Sequence, residues 1–295
     1  MNAVLATSRF AHTQHAPATE VPRRIAATFE PDLHSTLWVA MTQDPQRQNF
    51  SIPLLRQLGD LLATVSSQNG CWVSKGDLHA VNYVVLRSEH PEFFSMGGDL
   101  THFHERILAQ DWDTLYAYSK YCLDTLYAWA TALNGSATTI SLVQGRALGG
   151  GFETALAADH IIAEEHSEFG FPEIMFGMFP CTGGMSLLAR RIGAFQAEKM
   201  LTNAKMYSAQ ELLALGVIDE VCERGAGELA VEAFVKRHQR HREARLMVQR
   251  SRQRVSPLDY DEMHQVVHDW VLVAQRLTPE ELRTMEMLAQ LQSGR

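Results

Sequence analysis

Apolar positions recur along the chain with two different periods. Leu54, Leu55, Leu58, Leu61, Leu62 and Val65 fall at helical spacing and form one stripe, which predicts an amphipathic helix. Ser51 stands where the N-cap belongs and Pro53 falls in the first turn, both helix-start signals. Residues 113–133 alternate aromatic and polar groups with the same period. Four short apolar runs read as strands: Leu37 to Met41, Val81 to Leu86, Thr139 to Val143 and Ile161 to Ala163. A turn-rich piece, Gln43 to Gln46, follows the first of them. Strands alternating with helices predict a layered α/β fold. From about residue 183 the pattern is helical and predicts no further long strand. Residues 1–27 hold His, Pro, Thr and Ala without periodicity and read as a loose extension.

Composition narrows the function classes. Of 295 residues, 46% are hydrophobic and 20% charged, an ordinary globular balance, and the net charge is −8. That sign argues against bulk nucleic-acid binding, which needs a basic footprint. Cys71, Cys122, Cys181 and Cys222 form no CxxC pair, so neither a zinc site nor a disulfide framework is expected and a cytoplasmic setting fits. The chain has no apolar run long enough to span a membrane.

Two glycine-rich turns carry the candidate chemistry. Phe93-Phe94-Ser95-Met96-Gly97-Gly98-Asp99-Leu100 lies soon after a predicted strand. Gln144-Gly145-Arg146-Ala147-Leu148-Gly149-Gly150-Gly151-Phe152-Glu153 follows another and opens a helix. Glycines let backbone N–H groups approach a ligand without a Cβ in the way. Two N–H donors, one from each turn, would make an oxyanion hole. The spacing fits neither a Walker loop nor GxGxxG. Glu153 lies in the first turn of the helix, and Glu173 follows 20 residues later in Phe169-Gly170-Phe171-Pro172-Glu173. Both have apolar neighbours. A carboxyl in an apolar pocket has its charged form disfavoured, so its pKa rises toward neutrality, as general acid/base work requires.

Together these motifs resemble the crotonase (enoyl-CoA hydratase/isomerase) superfamily over roughly residues 30–225. Ala157-Ala158-Asp159, Pro180-Cys181-Thr182-Gly183-Gly184 and the Ala209 to Asp219 stretch fit the same pattern. The resemblance implies an α/β spiral of ββα units (28–225) after a flexible extension (1–27), and a helical C-terminal region (226–295) used for trimerisation. It implies thioester substrates and a homo-oligomer, trimer or hexamer, with no cofactor and no metal. By position, Gly98 and Gly150 supply the oxyanion donors. Glu153 and Glu173 match the catalytic glutamates, with acid and base left unassigned between them. Gly97, Leu148, Gly149 and Met175 are expected at the substrate.

The chain is also similar to a narrower branch, the diffusible signal factor synthases. The likeness rests on the long extension, Met96-Gly97-Gly98-Asp99-Leu100, Phe152 to His160 and the Trp270 to Leu288 helix pair. That branch implies a 3-hydroxyacyl chain on acyl carrier protein, dehydration to a cis-2-enoyl thioester, and hydrolysis to a free fatty-acid signal. Trp270 and Leu288 would line its acyl pocket. Thr101-His102 follows the first glycine turn where CoA-using hydratases often place a lysine, which favours carrier protein over CoA. The rival within the superfamily is an enoyl-CoA hydratase/isomerase of fatty-acid degradation acting on acyl-CoA. The rival of another class is a regulatory binding partner of a signalling receptor.

Further features admit two readings each. Residues 236–254 are strongly basic, either a docking face for an acidic carrier protein or a solvated helix face. Met175, Phe176, Met178 and Phe179 are either an acyl tunnel or core. His102 and His104 are spaced wrongly to share a helix face, and Cys181 reads as an apolar filler.

Overall fold

The computed structural model describes residues 22–42, 49–133 and 135–292. Most of the predicted extension, and the Gln43 to Gln46 turn, lie outside them. The chain enters through β1 (Ile25–Glu30), which pairs antiparallel with β2 (Thr36–Met41). Helix α1 (Ile52–Ser67) and a two-stranded hairpin, β3 (Cys71–Ser74) with β4 (Asp77–Ala80), follow. The next stretch repeats one unit three times: a long strand, a short strand, then helix. The first unit is β5 (Tyr83–Ser88), β6 (Phe93–Ser95), α2 (Leu100–Leu108) and α3 (Trp112–Thr131). The second is β7 (Thr138–Val143), β8 (Arg146–Leu148) and α4 (Gly150–Leu156). The third is β9 (His160–Glu164), β10 (Glu168–Gly170), a 3₁₀ turn over Glu173–Phe176, then α5 (Gly184–Ile192) and α6 (Ala194–Thr202). A short β11 (Tyr207–Ser208), α7 (Ala209–Ala214) and β12 (Glu220–Cys222) complete the core. Four helices close the described chain: α8 (Gly227–His238), α9 (Arg242–Val255), α10 (Tyr260–Ala274) and α11 (Pro279–Gln292). This is the ββα spiral that the resemblance implied.

The long strands make one sheet, β1-β2-β5-β7-β9-β12, parallel except at β1. The short strands make a second, β11-β10-β8-β6. Strands β5, β7 and β9 are buried nearly throughout, because helices or the second sheet cover both faces of a parallel sheet. The period of two divides their side chains between two cores. Val84, Leu86 and Ile161 join the main core, whereas Tyr83, Val85, Ile140, Leu142 and Ile162 pack under Val231, Phe234 and Val235 of α8. Helix α1 buries the predicted stripe, Leu54 to Val65, against the main core. Ser51 occupies the cap position, yet its side chain makes no capping bond there. None of the described helices is long and apolar enough to cross a membrane.

The small sheet positions the site. Strands β6, β8 and β10 are parallel neighbours, with Ser95 beside Ala147 and Leu148 beside Gly170. Their carboxyl ends therefore point the same way. The turns leaving them hold Gly98, Gly150 and Glu173, so three separate sequence motifs converge at one sheet edge. Ligands of open α/β sheets bind at such carboxyl ends.

Candidate active site

A cavity of about 300 Å³ opens at that edge. Gly98, Leu148, Gly149, Gly150, Glu153, Glu173, Trp270 and Leu288 all line it. Gly97 is buried behind the lining. A Cβ on it would sit 2.8 Å from the Leu148 carbonyl oxygen and 2.9 Å from Gly150 N, and its φ is +86°. Only glycine accommodates both demands, and this close approach brings the two turns together. A Cβ on Gly150 would in turn lie 3.5 Å from Gly98 N.

The N–H groups of Gly98 and Gly150 find no acceptor among the described residues. For Gly150 the reason is position, since the first residue of a helix has no intrahelical acceptor. Two adjacent free N–H donors at a cavity wall are the elements of an oxyanion site. The positive end of the α4 dipole adds to the second.

Glu153 lies in the first turn of α4 and is 2% exposed. Its Oε1 accepts from the N–H groups of Thr182 (2.9 Å) and Gly184 (2.8 Å), and its Oε2 from the Thr182 hydroxyl (2.5 Å). Burial raises its pKa, and those donors pull against the rise. Glu173 opens the 3₁₀ turn and its Oε2 is buried without a partner. A Cβ on Gly149 would collide with its Oε1, so the side-chain-free glycine provides the space for the carboxyl. Burial first, and the nearby charge of Glu153 second, push Glu173 up to about 8. One carboxylate is thus held by three donors, and the other keeps its proton at neutral pH.

The rest of the lining is mostly apolar, including Leu58, Phe103, Trp129 and Phe176. Trp270 of α10 packs 4.8 Å from Phe103, ring to ring, and Leu288 of α11 also lines the cavity. Phe176 and Phe179 line the cavity, while Met178 belongs to the core. Met175 must be corrected: it is 55% exposed and does not line the cavity. Side chains three apart share a face of a 3₁₀ helix, so Glu173 and Phe176 point inward and Ile174 and Met175 point out. Cys181 is buried in the wall, and burial pushes its thiol well above the usual range, which suits a filler.

Sequence reading passed over three residues that shape the site. Thr182 holds Glu153 through both its backbone and its hydroxyl. Tyr118 of α3 accepts from Asp99 N and donates to the Phe50 carbonyl. Gln292 reaches the first glycine turn from α11. Only Thr182 left a trace, as a hydroxyl residue ahead of two glycines in the quoted Pro180 to Gly184 motif.

The basic stretch is mostly exposed, but several of its side chains have local partners. Arg242 and Arg250 donate to the carbonyls of Ser136 and Gly135, Arg252 pairs with Asp159, and Arg237 pairs with Glu220. Arg245 lies over the Phe234 ring.

Comparisons with known proteins show the family and the fold. A family model described as enoyl-CoA hydratase/isomerase matches residues 76–258. A probable enoyl-CoA hydratase of Mycobacterium tuberculosis is 33% identical over 138 residues, 47% of this chain and 50% of that protein. The 2,3-dehydroadipyl-CoA hydratase of Escherichia coli is 33% identical over 146 residues, 47% of this chain and 51% of that protein. The chain thus spans about half the length, or less, of the curated relatives it matches. In fold, it resembles an enoyl-CoA hydratase from Bacillus halodurans with a TM-score of 0.72 at 20% identity, covering 90% of this chain and 100% of that one. With the family model matching well over half of the sequence and the ββα spiral in agreement, the chain belongs to the enoyl-CoA hydratase/isomerase, or crotonase, family.

Proposed function

We propose that the protein adds water to, and removes it from, the C2–C3 bond of an acyl thioester. The observation that carries this reading is the convergence of two free N–H donors and two glutamates in unlike surroundings on one apolar cavity. The thioester carbonyl would accept from Gly98 and Gly150. Negative charge appears on that oxygen as C2 gains or loses its proton, and fixed donors stabilise it there. In hydration, Glu173 gives its proton to C2 while Glu153, as carboxylate, takes a proton from the water that bonds to C3. Dehydration runs the same steps backward: Glu153 protonates the leaving 3-hydroxyl and Glu173 takes the C2 proton. Either direction leaves the pair with one proton in total.

A second reading concerns the thiol carrier and the fate of the product. Trp270 and Leu288 were expected in the wall from the likeness to the signal-factor synthases, and both lie in it. This supports a 3-hydroxyacyl chain on acyl carrier protein as substrate, with the 2-enoyl thioester then hydrolysed to the free acid. Pairing of Arg237 with Glu220 and of Arg252 with Asp159 offsets part of the charge that a carrier would dock on at the basic stretch.

One assay tests both. Purified protein is given the same 3-hydroxyacyl and 2-enoyl chains on CoA and on carrier protein, and products are read by mass spectrometry. Reversible water addition is expected, with Glu153→Gln and Glu173→Gln each slower by about 100- to 10,000-fold. Wild-type rates in either variant would overturn the proposed chemistry. Free 2-enoic acid from the carrier-protein substrate alone would favour the second reading, and a carrier-protein thioester left unhydrolysed, with reversible water addition on CoA only, would remove it.

A further inference from the structure

We infer that Gln292 is a positioning residue for the oxyanion site, holding the peptide units on either side of the one that presents the Gly98 donor. The inference rests on the proposed thioester chemistry. From Gly97 N to Leu100 N every backbone polar group has a partner except one. Gly97 N donates to Ser95 Oγ (3.1 Å), and Gly97 O accepts from Phe50 N (2.8 Å). Asp99 N donates to the Tyr118 hydroxyl (3.0 Å), and Asp99 O accepts from Phe103 N (3.0 Å). The remaining groups go to a single side chain. Gln292 Nε2 donates to Met96 O (2.8 Å) and to Gly98 O (3.0 Å), and its Oε1 accepts from Leu100 N (3.2 Å). Among the described residues the Gly98 N–H alone is left over, at a residue that lines the cavity.

The amide group is suited to this task in a way no charged or apolar side chain is. It offers two donors and an acceptor in one plane, and here it bridges the peptide units that flank the Gly97–Gly98 unit. Gln292 is 3% exposed, so water does not compete for these bonds. Its Oε1 also lies 3.4 Å from Asn49 Nδ2, which fixes the amide orientation from the far side. Without the clasp, the Met96–Leu100 segment keeps its other anchors but is free to tilt at Gly98 O. The adjoining N–H direction then drifts from the position the thioester oxygen occupies. Misplacement of this kind costs rate more than binding.

The test binds a cinnamoyl thioester, whose ultraviolet band moves to longer wavelength when its carbonyl is polarised. Wild type, Gln292→Leu and Gln292→Glu are compared, with kcat and KM measured on an enoyl thioester. Wild type is expected to shift the band. Gln292→Leu is expected to lose most of that shift and about 10- to 100-fold in kcat, with KM changed no more than about threefold. Gln292→Glu keeps the size and one acceptor but lacks both donors, and is expected to fall with it. It also carries the test if the leucine variant does not fold. A folded variant that retains the wild-type band shift and kcat overturns the inference. Absence of a shift in wild type is a different failure: it removes the oxyanion site itself, and the inference with it.

Discussion

At the scale of single residues, the site depends on giving two chemically identical side chains unlike surroundings. Glu153 meets three donors and Glu173 meets none for its Oε2. The raised pKa of Glu173 has a cost in stability, and its sign is fixed. The folded state holds the proton up to about pH 8, whereas the ordinary value is about 4.5. Stability from this group is therefore complete below about pH 4.5 and is lost as pH rises toward 8. Glu173→Gln, which carries no charge to bury, should melt no higher than wild type near pH 4.5 and progressively higher as pH approaches 8. Thermal melts across that range measure it, and a difference independent of pH would mean that Glu173 does not titrate there. Hydration by wild type should decline above about pH 8, where the proton donor is gone. Both glutamates were legible in the sequence, because a carboxylate after a glycine run or at a Phe-Pro corner is an unusual placement. Met175 was misread because its neighbours suggested a continuous apolar lining, whereas a 3₁₀ turn directs only every third side chain to one face.

At the scale of elements, the close contacts lie between turns and helix starts. A Cβ on Gly151 would collide with the Ser95 carbonyl and lie 2.8 Å from its carbon, so α4 packs on β6 through bare backbone. Gly151→Ala should destabilise the protein by about 1–3 kcal/mol through overpacking. It should also separate the two N–H donors, so that activity falls with stability. Denaturant melts and rates measure both, and an unchanged midpoint would show that α4 has room to move. The long strands and the α1 stripe were readable because each spans several periods of its pattern. Strands β6, β8 and β10 are three residues each, shorter than any periodicity that reveals a strand. The β3–β4 hairpin carries exposed positions on both strands, and β1 extends back to Ile25, into the stretch read as a loose extension. The small sheet that gathers the whole site was therefore invisible as structure, although its turns were visible as glycine motifs.

At the scale of the molecule, the core supplies both glutamates and most of the cavity wall, and α10 and α11 complete that wall. Trp270 on α10 is 2% exposed and packs on Phe103 of α2. Trp270→Ala should cost about 3–5 kcal/mol and enlarge the acyl end of the cavity. The kcat/KM profile over a series of thioesters should move toward longer chains. An unchanged profile would place the acyl chain elsewhere. The helical character of this region follows from the sequence pattern alone. Its contact with the first glycine turn does not, because no local spacing joins residues so far apart.

That distance has a consequence in time. Gln292 bonds to Met96 across 196 positions of chain. A ribosome builds the protein from its N-terminus, so the glycine turns and both glutamates emerge long before the clasp that steadies one of them. Loops closed over such separations form late. A partly made chain holds both glycine turns and both glutamates, and Gln292 reaches the first turn only when α11 docks.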